Sequence, residues 1–413
     1  MSSQTKSPAS APTVLLLSLP PKTLVGIDLL SFNSSPNFHG ITNIPYGVHF
    51  VYTGTHASLS IRQGRWLRLT ANGPQSLVLR WNSDTETLDL LDHDSKMAQS
   101  AIASVSSQGM VDYTALQDAT SDLATRESEA NTTSGRPSEE RSESTDWPQL
   151  SSHISRRLFE RVLSSEWVVS SVSSAPSDTE QIPGLSHLEA NNALHQLPLN
   201  LLPINLKQTW DGGDIGRTRT DRARDRSWYL GHLIDSLTPP KVDRALGAKE
   251  VLAELQFCFL MVLTLANYSC LEQWKRLLSV LLTSQSALLE VEAYFVEVVK
   301  ILSIQLRHVD DVEGGLFELR DENASAWLRM LWGRFRGLVD EAYADEKEKG
   351  KALRKEVDAL QKFLQGRYSW QNERDILRRG MVQLEDGESV ELAMQGADED
   401  EETGEYAPLV VET

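Results

Sequence analysis

The strongest constraint on this chain is a set of apolar stripes at three- and four-residue spacing in its second half. Leu271, Trp274, Leu277, Leu278, Leu281 and Leu282 form one, and Leu288, Val291, Phe295, Val298, Val299, Leu302 and Leu306 form the next. Trp327, Leu331, Trp332, Phe335 and Leu338 mark a third; Leu353, Val357, Leu360 and Leu364 make a thinner stripe between Lys347 and Gln365. Residues at this spacing share one face of an α-helix, and that face has to be buried against another. Ser269-Cys270-Leu271-Glu272 has the form of a capping box at one helix start. The pattern predicts an all-α domain over 200–366, with the clearest signal from Ser227 onward.

The first part of the chain has the other period. Val14 to Leu19, Val48 to Tyr52, Trp66 to Leu69, Leu77 to Trp81 and Leu88 to Leu91 are short apolar or alternating runs. Tyr46-Gly47 and Asn72-Gly73-Pro74 supply turns between them. Five such strands predict a small sandwich or barrel-like sheet over 13–91.

Between these regions the composition shifts. Eleven Ser/Thr lie between Thr120 and Thr145, with Leu123 the one large aliphatic residue there. A stretch so poor in apolar surface cannot offset its ordering entropy, so 92–146 is read as a disordered insertion. Leu150, Ile154, Leu158 and Val162 recur every four residues and predict an amphipathic helix within 147–169, followed by a linker over 170–199.

The net charge is −18, but eleven acidic residues and no Lys or Arg fall between Glu385 and Thr413, leaving −7 for the rest. A general nucleic-acid-coating role is thereby disfavoured, since phosphate binding needs a basic face. The cluster Arg217, Arg219, Arg222, Arg224 and Arg226 is interrupted by Asp221 and Asp225, and is read as a solvated helix approach rather than an RNA contact. The acidic run leads into Glu405-Tyr406-Ala407-Pro408-Leu409-Val410-Val411. Residues 367–413 therefore read as an extended acidic tail ending in a portable β-strand, with Pro408, Leu409, Val410 and Val411 as its partner-binding residues. Fraying, or folding back on its own domain, is the alternative for this strand.

Catalytic templates return nothing: the chain lacks a phosphate-binding Gly-rich loop with Lys, a Gly-x-Ser-x-Gly elbow and a His-Glu-x-x-His pair. No catalytic, cofactor-binding or metal residues are assigned, and no cofactor is expected. His39, His49 and His56 lack acidic or Cys partners at ligand spacing, so a metal hydrolase is a distant third reading. Asp28 after Gly26-Ile27 is read as fixing a turn. The two cysteines, Cys258 and Cys270, lie in helical sequence and read as structural thiols in a reducing compartment. Phe257 to Ala266, the most apolar stretch, is too short for the roughly twenty residues of a membrane span.

Several segments form an ordered set: Gly26-Ile27-Asp28, Pro36-x-Phe38-x-Gly40-Ile41 and Ile44-Pro45-x-Gly47-x-His49-Phe50 in the β-rich region. In the helical region they are Gly247-x-x-x-Val251-Leu252-x-Glu254-Leu255-Gln256-Phe257 and Glu272-x-Trp274-Lys275-Arg276-Leu277-Leu278, then Gln305-Leu306 and the apolar end Ala407 to Glu412. Together they resemble the cistron-splicing factors, which act as assembly chaperones of the U5 snRNP. The insertions and the Arg-rich segment 367–384 fall outside the resemblance.

The resemblance implies an α+β multidomain protein, a β-sandwich-like domain followed by a helical bundle similar to VHS domains. It implies a non-enzymatic factor, expected to be a monomer in cytoplasm and nucleus, that binds the RNase H-like and MPN-type domains of the large spliceosomal scaffold protein. Such a factor delays docking of the spliceosomal helicase and uses its tail as a strand between the two scaffold domains, with phosphorylation implicated in release. Gly26, Asp28, Phe38, Gly40, Pro45, Gly47, His49, Glu254, Phe257 and Trp274 are expected to hold the fold rather than touch the partner. The competing reading is a VHS-like adaptor for acidic peptide motifs, which would need a basic groove on the helices.

Overall fold

In the computed structural model the residues described are 11–55, 60–104, 108–119, 146–163, 166–175, 198–311, 322–344, 349–368, 370, 380–383 and 389–392. They show strands followed by helices, an α+β fold. The chain divides into two compact units that do not follow chain order. The first comprises Met1–Leu201, Gln256–Leu271 and Asp310–Leu316; the second comprises Leu202–Leu255, Glu272–Val309 and Phe317–Thr413.

The first unit carries β1 (Thr13–Leu17), β2 (Leu24–Ile27), β3 (Leu30–Asn33), β4 (Gly40–Thr42), β5 (Gly47–Gly54), β6 (Arg62–Leu69), β7 (Ser76–Asn82) and β8 (Thr87–Leu90). Helix α1 (Lys96–Ala103) and strand β9 (Met110–Asp112) follow, then α2 (Trp147–Leu150), α3 (Arg156–Val162) and β10 (Val168–Ser170). One sheet runs β8-β7-β1-β4-β9 and the other β10-β6-β5-β2-β3. The first is mixed, with β1 parallel to β7 and antiparallel to β4; every pairing in the second is antiparallel.

Alternation along the strands decides what each face meets. Val14, Leu16, Ile41 and Leu79 of one sheet share a core with Val25, Ile27, Val51 and Leu67 of the other. Leu15 and Val78 point the opposite way and are covered by Ala98 of α1. Both faces of β1 are thus buried, which is why Val14 to Leu17 is apolar without alternation. The other face of the second sheet presents Phe50 and Trp66, whose rings lie 4.9 Å apart. Trp147, Phe159 and Phe257 surround Trp66 with ring centroids at 5.9, 5.1 and 5.9 Å.

The second unit contains α4 (Gly216–Arg224), α5 (Ser227–Leu237), most of α6 (Arg244–Leu265) before Gln256 and of α7 (Tyr268–Leu281) after Leu271, then α8 (Gln285–Glu290), α9 (Glu292–Arg307), α10 (Glu322–Ala342) and α11 (Lys351–Tyr368). Most positions of the predicted stripes are buried: Phe295, Val298, Val299 and Leu302 on α9, Leu331, Trp332 and Phe335 on α10, Leu353, Val357, Leu360 and Leu364 on α11. Val291, which precedes α9, is instead exposed, and Trp327 and Leu338 are half-buried while their neighbours Leu328 and Val339 are buried. Two indoles find amide partners inside this apolar interior. Trp274 Nε1 donates to Gln305 Oε1 at 2.9 Å, and Trp332 Nε1 to Gln361 Oε1 at 2.8 Å.

Five expectations need correction. Residues 92–119 are not wholly part of a disordered insertion: Ser95 Oγ accepts from the Ala98 N–H to cap α1, and β9 pairs with β4. The single helix expected within 147–169 is two helices and a strand. Ser155 is extended and its Oγ accepts from the Leu158 N–H, which starts a new helix, while β-branched Val168 and Val169 join β6. Leu150, Ile154, Leu158 and Val162 are nevertheless all buried. The helix start at 267–268 is capped by Asn267, whose Oδ1 accepts from the Cys270 N–H at 2.9 Å, two residues before the serine of the expected box.

The helical domain does not coincide with 200–366, because Gln256–Leu271 belongs to the first unit and buried Trp370 extends the second. Finally, 367–413 is not uniformly extended. It includes an antiparallel hairpin of β11 (Gly380–Gln383) and β12 (Ser389–Leu392), with Val382 opposite Val390.

Candidate interaction surface

Three of the singled-out residues converge in the first unit. Asp28 sits in the left-handed region at φ 57°, a conformation a short polar side chain tolerates. Its Oδ1 accepts from the Phe50 N–H at 2.9 Å, and its Oδ2 lies 2.7 Å from His49 Nδ1. The other ring nitrogen, Nε2, is 2.9 Å from the Pro45 carbonyl. Both nitrogens therefore face acceptors, and both donate when the ring is an imidazolium. Burial alone would lower the His49 pKa, but the charge and hydrogen bond of Asp28 and the Pro45 carbonyl raise it above the ordinary value. Tyr113 completes the group by donating to Asp28 Oδ2 at 2.7 Å; burial, then the Asp28 charge, pushes its phenol far up.

Although an Asp–His pair with a tyrosine resembles proton-transfer machinery, here it has no chemical opening. Asp28, His49 and Tyr113 are all buried, and neither imidazole nitrogen is left to take a proton from a substrate. The group ties the β2–β3 turn, the strand β5 and the segment after β9 together. Sequence reasoning missed Tyr113 because it closes a segment read as disordered; the apolar pair Met110-Val111 before it was the available signal.

The remaining singled-out positions are also internal, except Gly47, which is exposed. Gly26 lies under the ring of Tyr52, its cross-strand neighbour, where an added Cβ would stand 2.0 Å from Cζ. At Gly40 an added Cβ would come 2.3 Å from the Val14 carbonyl oxygen. Gly47 opens β5, and Phe38 packs edge-on against Phe32. Phe257 belongs to the aromatic cluster of the first unit, and Trp274 to the interior of the second. Buried Glu254 accepts from the Leu202 N–H at 2.9 Å and from Gln273 Nε2 at 2.7 Å, so it fixes the entry of the chain into the second unit. Cys258 and Cys270 are buried free thiols. Among the described residues no group of three or more His, Cys, Asp and Glu is placed to hold a metal, and no helix is long and apolar enough to cross a membrane. His56 lies outside the described residues, as do Pro408, Leu409, Val410 and Val411.

Two outward-facing groups of side chains stand out among the described residues. In the first unit, the Ser171 N–H donates to the Arg62 carbonyl while the Arg62 N–H donates to Ser171 Oγ, and Asn267 Nδ2 donates to the Ser170 and Ser173 carbonyls. Ile61, Val172 and Tyr268, each next to one of these residues, are about two-thirds exposed. In the second unit, α4 buries none of its residues and displays arginines. The guanidinium of Arg219 lies over the Trp210 ring at 4.5 Å, and that of Arg222 over Trp228 at 4.4 Å. Asp225 is engaged inward: burial opposes its charge, yet donors from Ser227 and Ser286 hold its pKa below the ordinary range.

Comparison with known proteins returns one family across both units. The AAR2 N-terminal domain matches residues 10–164, and the AAR2 C-terminal repeat region matches residues 201–373. The Protein AAR2 homolog of Mus musculus is 25% identical over 367 residues, covering 87% of this chain and 89% of that protein. The human homolog is 24% identical over 370 residues, covering 87% and 89%. That of Caenorhabditis elegans is 24% identical over 383 residues, covering 86% and 93%.

Proposed function

Because this chain belongs to the AAR2 family, which supports a splicing-related role, we propose that it is a non-enzymatic assembly chaperone of the U5 snRNP. The observation that carries the proposal is the match of both family regions, in order, over 10–164 and 201–373. Its partner is the large spliceosomal scaffold protein, bound through the RNase H-like and MPN-type domains. While bound, the factor delays docking of the helicase. It works in cytoplasm and nucleus, touches no membrane and needs no cofactor. The inward engagement of Asp28, His49 and Tyr113 favours a binding role over a catalytic one.

In this reading Pro408, Leu409, Val410 and Val411 add a strand to a sheet edge of the scaffold. Main-chain hydrogen bonds give affinity, and alternate side chains fix the register. The test is co-purification with the scaffold's RNase H-like and MPN-type domains, comparing the parent chain with L409D/V411D. The parent is expected to form the complex and the variant to bind at least about tenfold more weakly, as loss of a strand anchor requires. Absence of any complex with the parent sinks the chaperone reading; equal affinity of parent and variant sinks only the strand.

A further inference from the structure

Helix α11 carries two opposite faces of the same spacing. Leu353, Val357 and Leu364 are buried, while Lys351, Lys355 and Lys362, each two residues earlier, are exposed on the other side of the helix. Asp358, also exposed, falls in the lysine row between Lys355 and Lys362. None of these four has an ion pair or hydrogen bond among the described residues. Elsewhere in the second unit outward cations close on nearby carboxylates: Lys275 on Glu272, Lys300 on Glu297 and Arg244 on Asp235. The lysine row also works against its own helix. Lys351 stands in a first turn that holds no acid, where its charge opposes the positive end of the helix dipole. Lys351 and Lys355, four residues apart, repel each other. Core packing asks for neither, so the sequence of this face answers to a contact outside the core.

We propose that the row Lys351, Lys355, Asp358 and Lys362 docks a helix of a partner protein with the complementary pattern of charge: carboxylates against the three lysines and a cation against Asp358. Charge complementarity selects the occupant. The row is spaced by four, three and four residues, or about 6, 4.5 and 6 Å along the axis, and a second helix lying alongside repeats those intervals on one of its own faces. Ala352 and Ala359, exposed beside the row, leave room for the partner's backbone to approach. Alternation of sign along facing helices is the device that fixes which helix is accepted and in which orientation.

Uniform polyanions suit this face less well. An RNA backbone meets Asp358 with like charge, and the row offers no exposed ring for base stacking: Phe363 is half-buried with the Arg367 guanidinium 6.0 Å from its ring, and Tyr368 is buried. An anionic membrane meets the same conflict at Asp358, and Ala352 and Ala359 give it no large apolar side chain to take up. The docking face goes beyond the assignment of the scaffold as partner and does not depend on it.

The test titrates the full chain into fluorescent, lactam-stapled, Ala-based helices and follows polarisation at about 20 mM salt, where screening is weak. One peptide carries Glu-Glu-Lys-Glu at the four-three-four spacing and a second carries Glu-Lys-Glu-Glu, for the parallel and antiparallel arrangements; a control carries four Glu. One of the patterned peptides is expected to bind at least about fivefold more tightly than the all-Glu control, the difference between one ion pair and one repulsion. K351Q/K355Q/K362Q, which keeps helix propensity, should weaken that binding at least about tenfold, with a thermal midpoint no lower than the parent's because the lost charges opposed the helix. D358K should invert the preference in favour of the all-Glu peptide. Absence of binding by both patterned peptides overturns the proposal, as does an all-Glu peptide that binds the parent equally well or a preference that D358K leaves unchanged. A single-stranded oligouridylate that displaces the patterned peptide at lower concentration than the unlabelled peptide does also overturns it, reassigning the face to RNA.

Discussion

Asp28 Oδ2 lies 2.7 Å from His49 Nδ1 with both side chains inside the first unit, a buried ion pair that joins a turn to the strand beside it. Its pKa direction fixes a pH dependence. The folded imidazole binds its proton more tightly than the unfolded one, whose pKa is about 6.5. The stabilisation is therefore complete below about pH 6.5 and is lost as pH rises through the folded-state pKa. His49→Ala leaves the Asp28 charge unpaired and is expected to cost on the order of 3–5 kcal/mol. Urea unfolding across pH 6 to 9.5 should show parental stability falling with pH through this window and the variant lacking that component.

Tyr113→Phe removes the donor to Asp28 but leaves the ion pair. A hydrogen bond to a charged group is worth about 1.5–3 kcal/mol, and the variant should lose that much while keeping the alkaline pH dependence. A variant as stable as the parent would place Tyr113 outside the network.

Gly26→Ala forces a Cβ into the Tyr52 ring and is expected to destabilise by about 1–3 kcal/mol. The ring is the cause, so the loss should shrink in a Tyr52→Leu background. A coupling of about 1 kcal/mol or more in the double-mutant cycle is the expected reading. Strict additivity would mean that the glycine is there for its backbone alone.

Asn267 has two tasks that one substitution separates. Asn267→Asp keeps the acceptor for the Cys270 N–H but removes the amide that donates to the Ser170 and Ser173 carbonyls. It should destabilise by about 1–3 kcal/mol, with amide exchange rising around Ser170 to Ser173 and the start of α7 kept. Uniform protection in the variant would show that the cap alone matters.

How much was legible follows the range of the interaction. The stripes of α9, α10 and α11 were readable because a helix repeats its burial every three or four residues; the positions that miss are Val291, which precedes α9 and is exposed, and Trp327 and Leu338, each one residue before a buried position. The five apolar runs correspond to β1, β5, β6, β7 and β8, where burial on both faces of β1 and of most of β5 makes the run itself apolar rather than alternating. Strands β2, β3 and β4 are only three or four residues long and include Gly26 and Gly40, which pack by closeness of backbone and carry no hydrophobic signal. Tyr113 became visible only through its partner Asp28, eighty-five residues earlier.

The sequence by itself determined the α+β order of the elements, the helical faces, the acidic run from Glu385 and the resemblance that the family comparison establishes, because each is a local or ordered property of the chain. Tertiary structure alone decided that Phe257 completes the aromatic cluster around Trp66 while Trp274, seventeen residues on in the chain, belongs to the second unit. It also decided that Asp28 and His49 form a closed pair rather than an open site. A side chain's chemistry depends on which neighbours the packed fold brings within a few ångströms, and contacts between residues distant in the chain leave no periodic trace in it.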